Sequence, residues 1–164
     1  MYWEEVIELI KTHGKDEPKS TFPNPYNDSD EYEVYLYERG TLKSSYVHIN
    51  EFSRKIKKCL KKYINYGINN IQIFVSLGAS RGMGEHYDDD NVLILCLEGE
   101  MSYIIEDKKP VTLKSGDTIF IKKGIFHKGV SSTAPRICLS CDFHCPSAIL
   151  EGSRFKNEVT YYFG

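Results

Sequence analysis

Three side chains in this sequence have the types and the spacing to hold a metal ion. His86 and Asp88 lie two residues apart in the triplet His86-Tyr87-Asp88, and His127 follows 39 residues after the aspartate. Two neutral imidazoles and one carboxylate on one face of an ion are the ligand set of non-haem Fe(II) centres, and they leave coordination positions open. Side chains on a β-strand alternate with a period of two, so a strand over 85–88 would aim His86 and Asp88 to the same side. His127 must then arrive from another strand. The imidazoles bind metal only when neutral, so affinity is expected to fall in acid.

The surrounding residues supply the elements that would position such a site. Leu113 to Asp117 reads as a strand end and turn, Thr118 to Ile121 as a strand, Lys122-Lys123-Gly124 as a turn, and Ile125 onward as the strand that delivers His127. From residue 71 strands recur at short intervals, over 71–77, 85–88, 91–97, 100–106, 110–113, 118–122, 125–131 and 135–143, with Gly, Pro, Ser or Asp in most gaps. That rhythm predicts an all-β sandwich or barrel. Upstream, apolar spacing predicts a short helix over 2–12, ended by Gly14 and Pro18, and a loop over 15–31. Tyrosine-rich 32–38 and 45–49 read as paired strands. Asn50 is placed to cap a helix over 51–65 that turns Phe52, Ile56, Cys59, Leu60 and Tyr63 inward and ends at Gly67. A strand-like run, 159–163, closes the chain.

Composition narrows the function classes. The 164 residues give a prior of one domain, 1–164, divided into N-terminal helices and edge strands (1–69), a β core (70–143) and a tail with one strand (144–164). A formal net charge of −2 argues against bulk electrostatic binding of nucleic acid. The acidic start, Met1-Tyr2-Trp3-Glu4-Glu5, lacks the apolar run of a signal peptide, and no stretch is long and apolar enough for a bilayer span. With five cysteines, an odd count, reduced thiols and a cytoplasmic location are expected, with no membrane partner. The basic residues of the 51–65 helix lie opposite its apolar face and read as a solvated surface. Cys138, Cys141, His144 and Cys145 invite a zinc reading, but Cys138 and Cys141 fall on opposite faces of one strand, which argues against it.

Two segments carry a family resemblance. Residues 81–88, Arg-Gly-Met-Gly-Glu-His-Tyr-Asp, followed by an apolar strand ending Leu97-Glu98-Gly99-Glu100, resemble the first conserved motif of cupins. Gly116, five residues, Lys122-Lys123-Gly124, two residues and His127 resemble the second, with lysine where proline is usual. The H-x-D form is most similar to the Jumonji-C and ribosomal-oxygenase-like branch, and the resemblance spans roughly 70–143. It implies a double-stranded β-helix of the cupin or jelly-roll type. It also implies a dioxygenase that binds Fe(II) through His86, Asp88 and His127, uses 2-oxoglutarate, and hydroxylates a substrate.

One departure bears on the co-substrate. Relatives carry a lysine or arginine about fifteen residues after the first histidine to pair with the far carboxylate of 2-oxoglutarate; this chain has Met101 there. Arg136, nine residues beyond His127, matches the position from which other 2-oxoglutarate oxygenases take an arginine. Its planar fork suits a carboxylate. Strand parity groups Arg136, Cys138, Ser140 and Asp142 on the cavity side and the apolar Ile137, Leu139, Cys141 and Phe143 on the other. Tyr103 is a second candidate contact, and Asn91 stands where relatives keep a polar residue near the metal. The alternative reading is a small cupin that binds a metal or small anion without oxidising anything. The residues leave open the substrate, small molecule or protein, and are compatible with a homodimer.

Overall fold

The computed structural model describes residues 3–13, 31–38, 41–48, 54–64, 66–76, 84–130, 135–144 and 147–164. Helix α1 (Trp3–His13) and the hairpin β1 (Glu31–Glu38) and β2 (Thr41–His48) precede helix α2 (Arg54–Ile64). Seven strands follow: β3 (Ile68–Ser76), β4 (Asn91–Glu98), β5 (Glu100–Ile105), β6 (Val111–Lys114), β7 (Thr118–Ile121), β8 (His127–Val130) and β9 (Arg136–Phe143). Two short helices, α3 (Ser147–Leu150) and α4 (Ser153–Glu158), lead to β10 (Tyr161–Phe163).

The strands form two facing sheets, ordered β10-β7-β4-β9-β3-β1-β2 and β6-β5-β8. Along the chain β3, β4, β7 and β9 belong to the large sheet, whereas β5, β6 and β8 belong to the small one, so the backbone winds repeatedly between the two. That winding is the signature of a double-stranded β-helix. The hairpin β1–β2 widens the large sheet by parallel pairing of β1 with β3, and β10 adds to its other edge parallel to β7.

Strand β4 lies inside the large sheet between β7 and β9, and its run Val92 to Leu97 is apolar because both of its faces are buried. Leu93, Leu95 and Leu97 point to an outer core with Ile71, Ile73, Ile137, Leu139, Cys141 and Phe143. Val92, Ile94 and Cys96 point to an inner core between the sheets, with Met101, Tyr103, Ile105, Leu113, Ile119, Ile121 and Cys138. The outer core is covered by α2, through Ile56, Leu60 and Tyr63, and by Phe155 of α4, which meets Tyr66, Phe120 and Phe143 edge-on or tilted. Burying a large aromatic or leucine side chain contributes roughly 1.5–3 kcal/mol each. The basic residues Lys58, Lys61 and Lys62 of α2 are exposed, consistent with a solvated face.

Two expectations need correction. The strand predicted over 85–88 reduces to a single bridge between His86 and His127, because Gly84 and the acidic run Asp88-Asp89-Asp90 supply no apolar alternation to extend it. The closing tail holds two helices in addition to its strand; at four and six residues they are too short for a helical period to show. Helix α2 starts at Arg54 among the described residues, so Asn50 and Phe52 lie outside them, as does Cys145. The parity reading of β9 agrees with the structure: Ile137, Leu139, Cys141 and Phe143 join the outer core and Cys138 the inner one. Cys138 and Cys141 therefore oppose one another.

Candidate metal centre

The bridge that replaces the expected strand also assembles the site. His86 N–H donates to the His127 carbonyl at 3.0 Å, and His127 N–H returns a bond to the His86 carbonyl at 2.8 Å. Two residues paired this way project their side chains to one side of the ladder. The rings lie 4.5 Å apart, centroid to centroid. Gly124 N–H donates to the Asp88 carbonyl at 3.0 Å, which ties the acidic loop to the turn before β8. Gly124 has φ +81°, a left-handed conformation that a side chain disfavours.

The ring nitrogens are sorted by the backbone. His86 Nδ1 lies 2.8 Å from the Gly84 carbonyl, and His127 Nδ1 lies 2.9 Å from the Ile125 carbonyl. Carbonyls only accept, so each Nδ1 carries the proton and each Nε2 is left with its lone pair. Both Nε2 atoms face Asp88: His127 Nε2 is 3.3 Å from Oδ2 and His86 Nε2 is 3.9 Å from Oδ1. One ligand atom from each residue lies within 4.8 Å of the others, so the three side chains could hold a metal ion. His127 is buried, whereas His86 and Asp88 are about a third exposed and leave the centre open on one side. Burial acts against the charged form of His127, but the Asp88 carboxylate and the Ile125 carbonyl outweigh it and raise its pKa.

Asn91 opens β4, and its Oδ1 accepts from the Lys123 N–H at 2.9 Å. It thus anchors the Lys122-Lys123-Gly124 turn four residues before His127. Tyr87 and Phe126, each adjacent to a triad histidine, pack edge-on at 5.1 Å and are both about half exposed.

Arg136 and Tyr103 lie deeper between the sheets. Arg136 is 6% exposed and Tyr103 8%. Arg136 Nη1 contacts Met101 Sδ, and the guanidinium acts electrostatically on Tyr103 and Cys138 beside it. Burial pushes the Tyr103 phenol up, which keeps it protonated as a donor. Ile105 is the strand partner of His127, and Tyr103 sits one side-chain period further along β5, about 7 Å on. Sequence reasoning did not find the two carbonyls that set the histidine tautomers, since any residue supplies a carbonyl. A separate cavity of about 700 Å³, lined by Lys58, Lys62, Ser115, Asn157 and Glu158 among others, lies between α2 and β4 and includes none of the triad.

Residues 73–138 match the family Cupin_2, described as a cupin domain. No curated protein matches the chain. A cupin superfamily protein from Desulfitobacterium hafniense DCB-2 is similar at 18% identity and TM-score 0.40, over 44% of this chain and 64% of that one. YcfD, a ribosomal oxygenase from Escherichia coli, is similar at 14% identity and TM-score 0.46, over 86% of this chain and 51% of that one. A cupin-2 domain containing protein from Shewanella frigidimarina is similar at 13% identity and TM-score 0.38, over 85% of this chain and 97% of that one. The chain thus spans about half to two thirds of the length of the first two of these. Residues 73–138 thus match a cupin domain, and in the structure they lie within a double-stranded β-helix with added edge strands and few helices.

Proposed function

We propose that the protein is an Fe(II)- and 2-oxoglutarate-dependent oxygenase, with His86, Asp88 and His127 as metal ligands. The observation that carries this reading is the sorting of the histidine nitrogens. Each Nδ1 is committed to a carbonyl, and both Nε2 atoms and a carboxylate converge on one point. A hydrogen bond on the remote ring nitrogen is the usual support for a metal-binding imidazole. The donor set, two nitrogens and one oxygen, suits a divalent first-row ion and leaves room for other ligands. Bound iron would supply the activation of dioxygen.

The residues of this chain would do the rest. Arg136, with Tyr103 beside it, would receive the far carboxylate of a dicarboxylate whose 2-oxo acid end would lie at the triad. Among the described residues Arg136 is the buried member of the Lys and Arg set. A carboxylate taken into an apolar barrel needs such a partner, because burying it alone is costly. Met101, at the position where relatives hold the cation, lends its sulfur to the guanidinium and so supports an arginine arriving from β9. Asn91 would hold the turn that presents His127. The inner core of Val92, Ile94, Ile119 and Ile121 would keep water from the co-substrate.

The test is an anaerobic Fe(II) titration of the protein with and without 2-oxoglutarate, followed by visible absorption. A weak metal-to-ligand charge-transfer band that needs both components is the expected result. Metal binding without such a band would overturn the oxygenase reading in favour of a cupin that binds a metal or small anion without oxidising a substrate.

A further inference from the structure

The inner core carries sulfur that the metal centre does not use. Cys96 on β4 and Cys138 on β9 are antiparallel Cα partners, each 1% exposed, with side chains in the same cluster. Cys96 spends its backbone bonds toward β7: its N–H donates to Asp117 at 3.0 Å, and its carbonyl accepts from Gly116 at 2.8 Å. A strand residue sends its N–H and C=O to the same side. Toward β9 the cysteine pair is therefore of the non-hydrogen-bonded kind, the closer of the two, with Cα atoms about 4.5 Å apart. That separation lies inside the range a disulfide spans. The next step of β4 is a bulge, since Cys96 pairs with Cys138 but Glu98 pairs with Ile137. A bulge adds the local twist with which a strand accommodates a cross-link.

The two thiols are chemically unequal. The Cys96 thiol opposite it and the Arg136 guanidinium draw Cys138 below the ordinary thiol range against the opposing effect of burial. The Cys138 thiol and burial push Cys96 up. Cys96 Sγ also lies 3.4 Å from the Gly99 carbonyl and 3.7 Å from the Glu98 carbonyl, near the barrel end where exposed Glu100 begins the next strand. Cysteine serves elsewhere as a small core hydrophobe. Here two cysteines are direct cross-strand partners, one beside a buried cation, in a core otherwise built largely of Ile, Leu and Val.

We propose that Cys96 and Cys138 form a reversible dithiol–disulfide site that is oxidised by a peroxide. Cys138 Sγ attacks one peroxide oxygen, the O–O bond breaks, and the departing oxygen leaves as water with a proton. Cys138 is then a sulfenic acid. Cys96 Sγ attacks that sulfur, the S–O bond breaks, and the hydroxyl leaves as a second water with the remaining thiol proton. Two sulfurs lose two electrons, and one peroxide gains them. The disulfide would staple the two central strands at the end remote from His127.

The test treats the full chain with hydrogen peroxide in the presence of a chelator, so that no metal generates radicals. Unreacted thiols are then alkylated under denaturing conditions and mapped by mass spectrometry. The expected product is a Cys96–Cys138 cross-linked peptide, lighter by two hydrogens than the reduced pair and restored by a thiol reductant. Its formation should raise the thermal unfolding midpoint by roughly 5–10 °C. In Cys96→Ser the Cys138 sulfenic acid should persist long enough to be captured by a sulfenic-acid-specific nucleophile; Cys96→Ala serves if the serine variant does not fold. The proposal is overturned if both wild-type cysteines alkylate as thiols after peroxide treatment, or if the cross-links found join Cys59, Cys141 or Cys145 instead.

Discussion

His127 is the most informative single residue of the candidate centre, because its ring would answer to both a proton and a metal. Its pKa is raised: burial opposes the charge, but the Asp88 carboxylate and Ile125 carbonyl prevail. In the metal-free protein the His127–Asp88 pair therefore contributes stability that is fully present below the ordinary histidine value of 6.5 and is lost as pH rises through the higher folded value. A metal needs the neutral ring, so the dependence on pH reverses in its presence. Metal affinity should begin to fall at a pH above the ordinary histidine range, and thermal unfolding of the metal-free and metal-loaded protein across pH 6–9 should show opposite slopes. His127→Ala should abolish tight binding in an Fe(II) or Zn(II) titration while leaving the far-ultraviolet spectrum unchanged. Arg136→Ala should raise the 2-oxoglutarate concentration needed for half-saturation by about 10–100-fold, the worth of one or two charge-assisted hydrogen bonds, with metal affinity almost unchanged. Equal loss of both would separate Arg136 from the proposed role.

At the scale of elements, the turns decide how well the side chains are presented. Gly99 joins β4 to β5 at φ +76°, and a Cβ there would meet the Pro135 carbonyl oxygen at 2.2 Å and Arg136 Cα at 3.1 Å. Both obstacles are backbone, so the strand carrying Arg136 would have to move. Gly99→Ala is expected to destabilise by about 2–3 kcal/mol, the sum of a left-handed conformation and a backbone clash. Gly116 shares the positive φ but has open space around it, so Gly116→Ala should cost about 1–2 kcal/mol from conformation alone. Paired urea melts would check the contrast. Asn91→Ala releases the Lys123 N–H, at a cost of about 1 kcal/mol. It should also weaken metal binding measurably, because the freed turn carries His127.

At the scale of the whole molecule, the two cores have separate duties. The outer core binds α2 and α4 to the large sheet, and the inner core lies between the sheets beside the candidate metal centre. Phe155 is fully buried and touches aromatic rings from three other elements, β7, β9 and β10. Phe155→Ala should cost about 3–5 kcal/mol, a large fraction of the 5–15 kcal/mol by which domains are typically stable. Calorimetry should register that loss as a lower unfolding midpoint. Metal affinity measured well below the midpoint should stay near the wild-type value, since none of the ligands contacts that ring. Among the described residues no helix is long and apolar enough to cross a membrane.

Residue types and short spacings were enough to group the triad, to assign the faces of β4 and β9, and to recognise strands recurring toward a β-helix, because a period of two is a local property of the backbone. The same parity placed Cys138 and Cys141 on opposite faces and Arg136 with the inner side. Other features depend on pairings between distant segments, which no local period encodes. The segment before β4 reads as a strand, yet only His86 finds a partner, and that single bridge to His127 makes the ring nitrogens converge. The tautomers follow from the carbonyls of Gly84 and Ile125, groups every residue possesses and only a folded chain can aim. The contact between Arg136 and Met101, 35 residues apart, needs β9 to lie beside β4 and the small sheet to close over both. Cys96 and Cys138 meet only because the register across β4 and β9 puts them opposite each other. Register is chosen by the burial of whole faces at once, so it belongs to the tertiary structure rather than to any stretch of sequence.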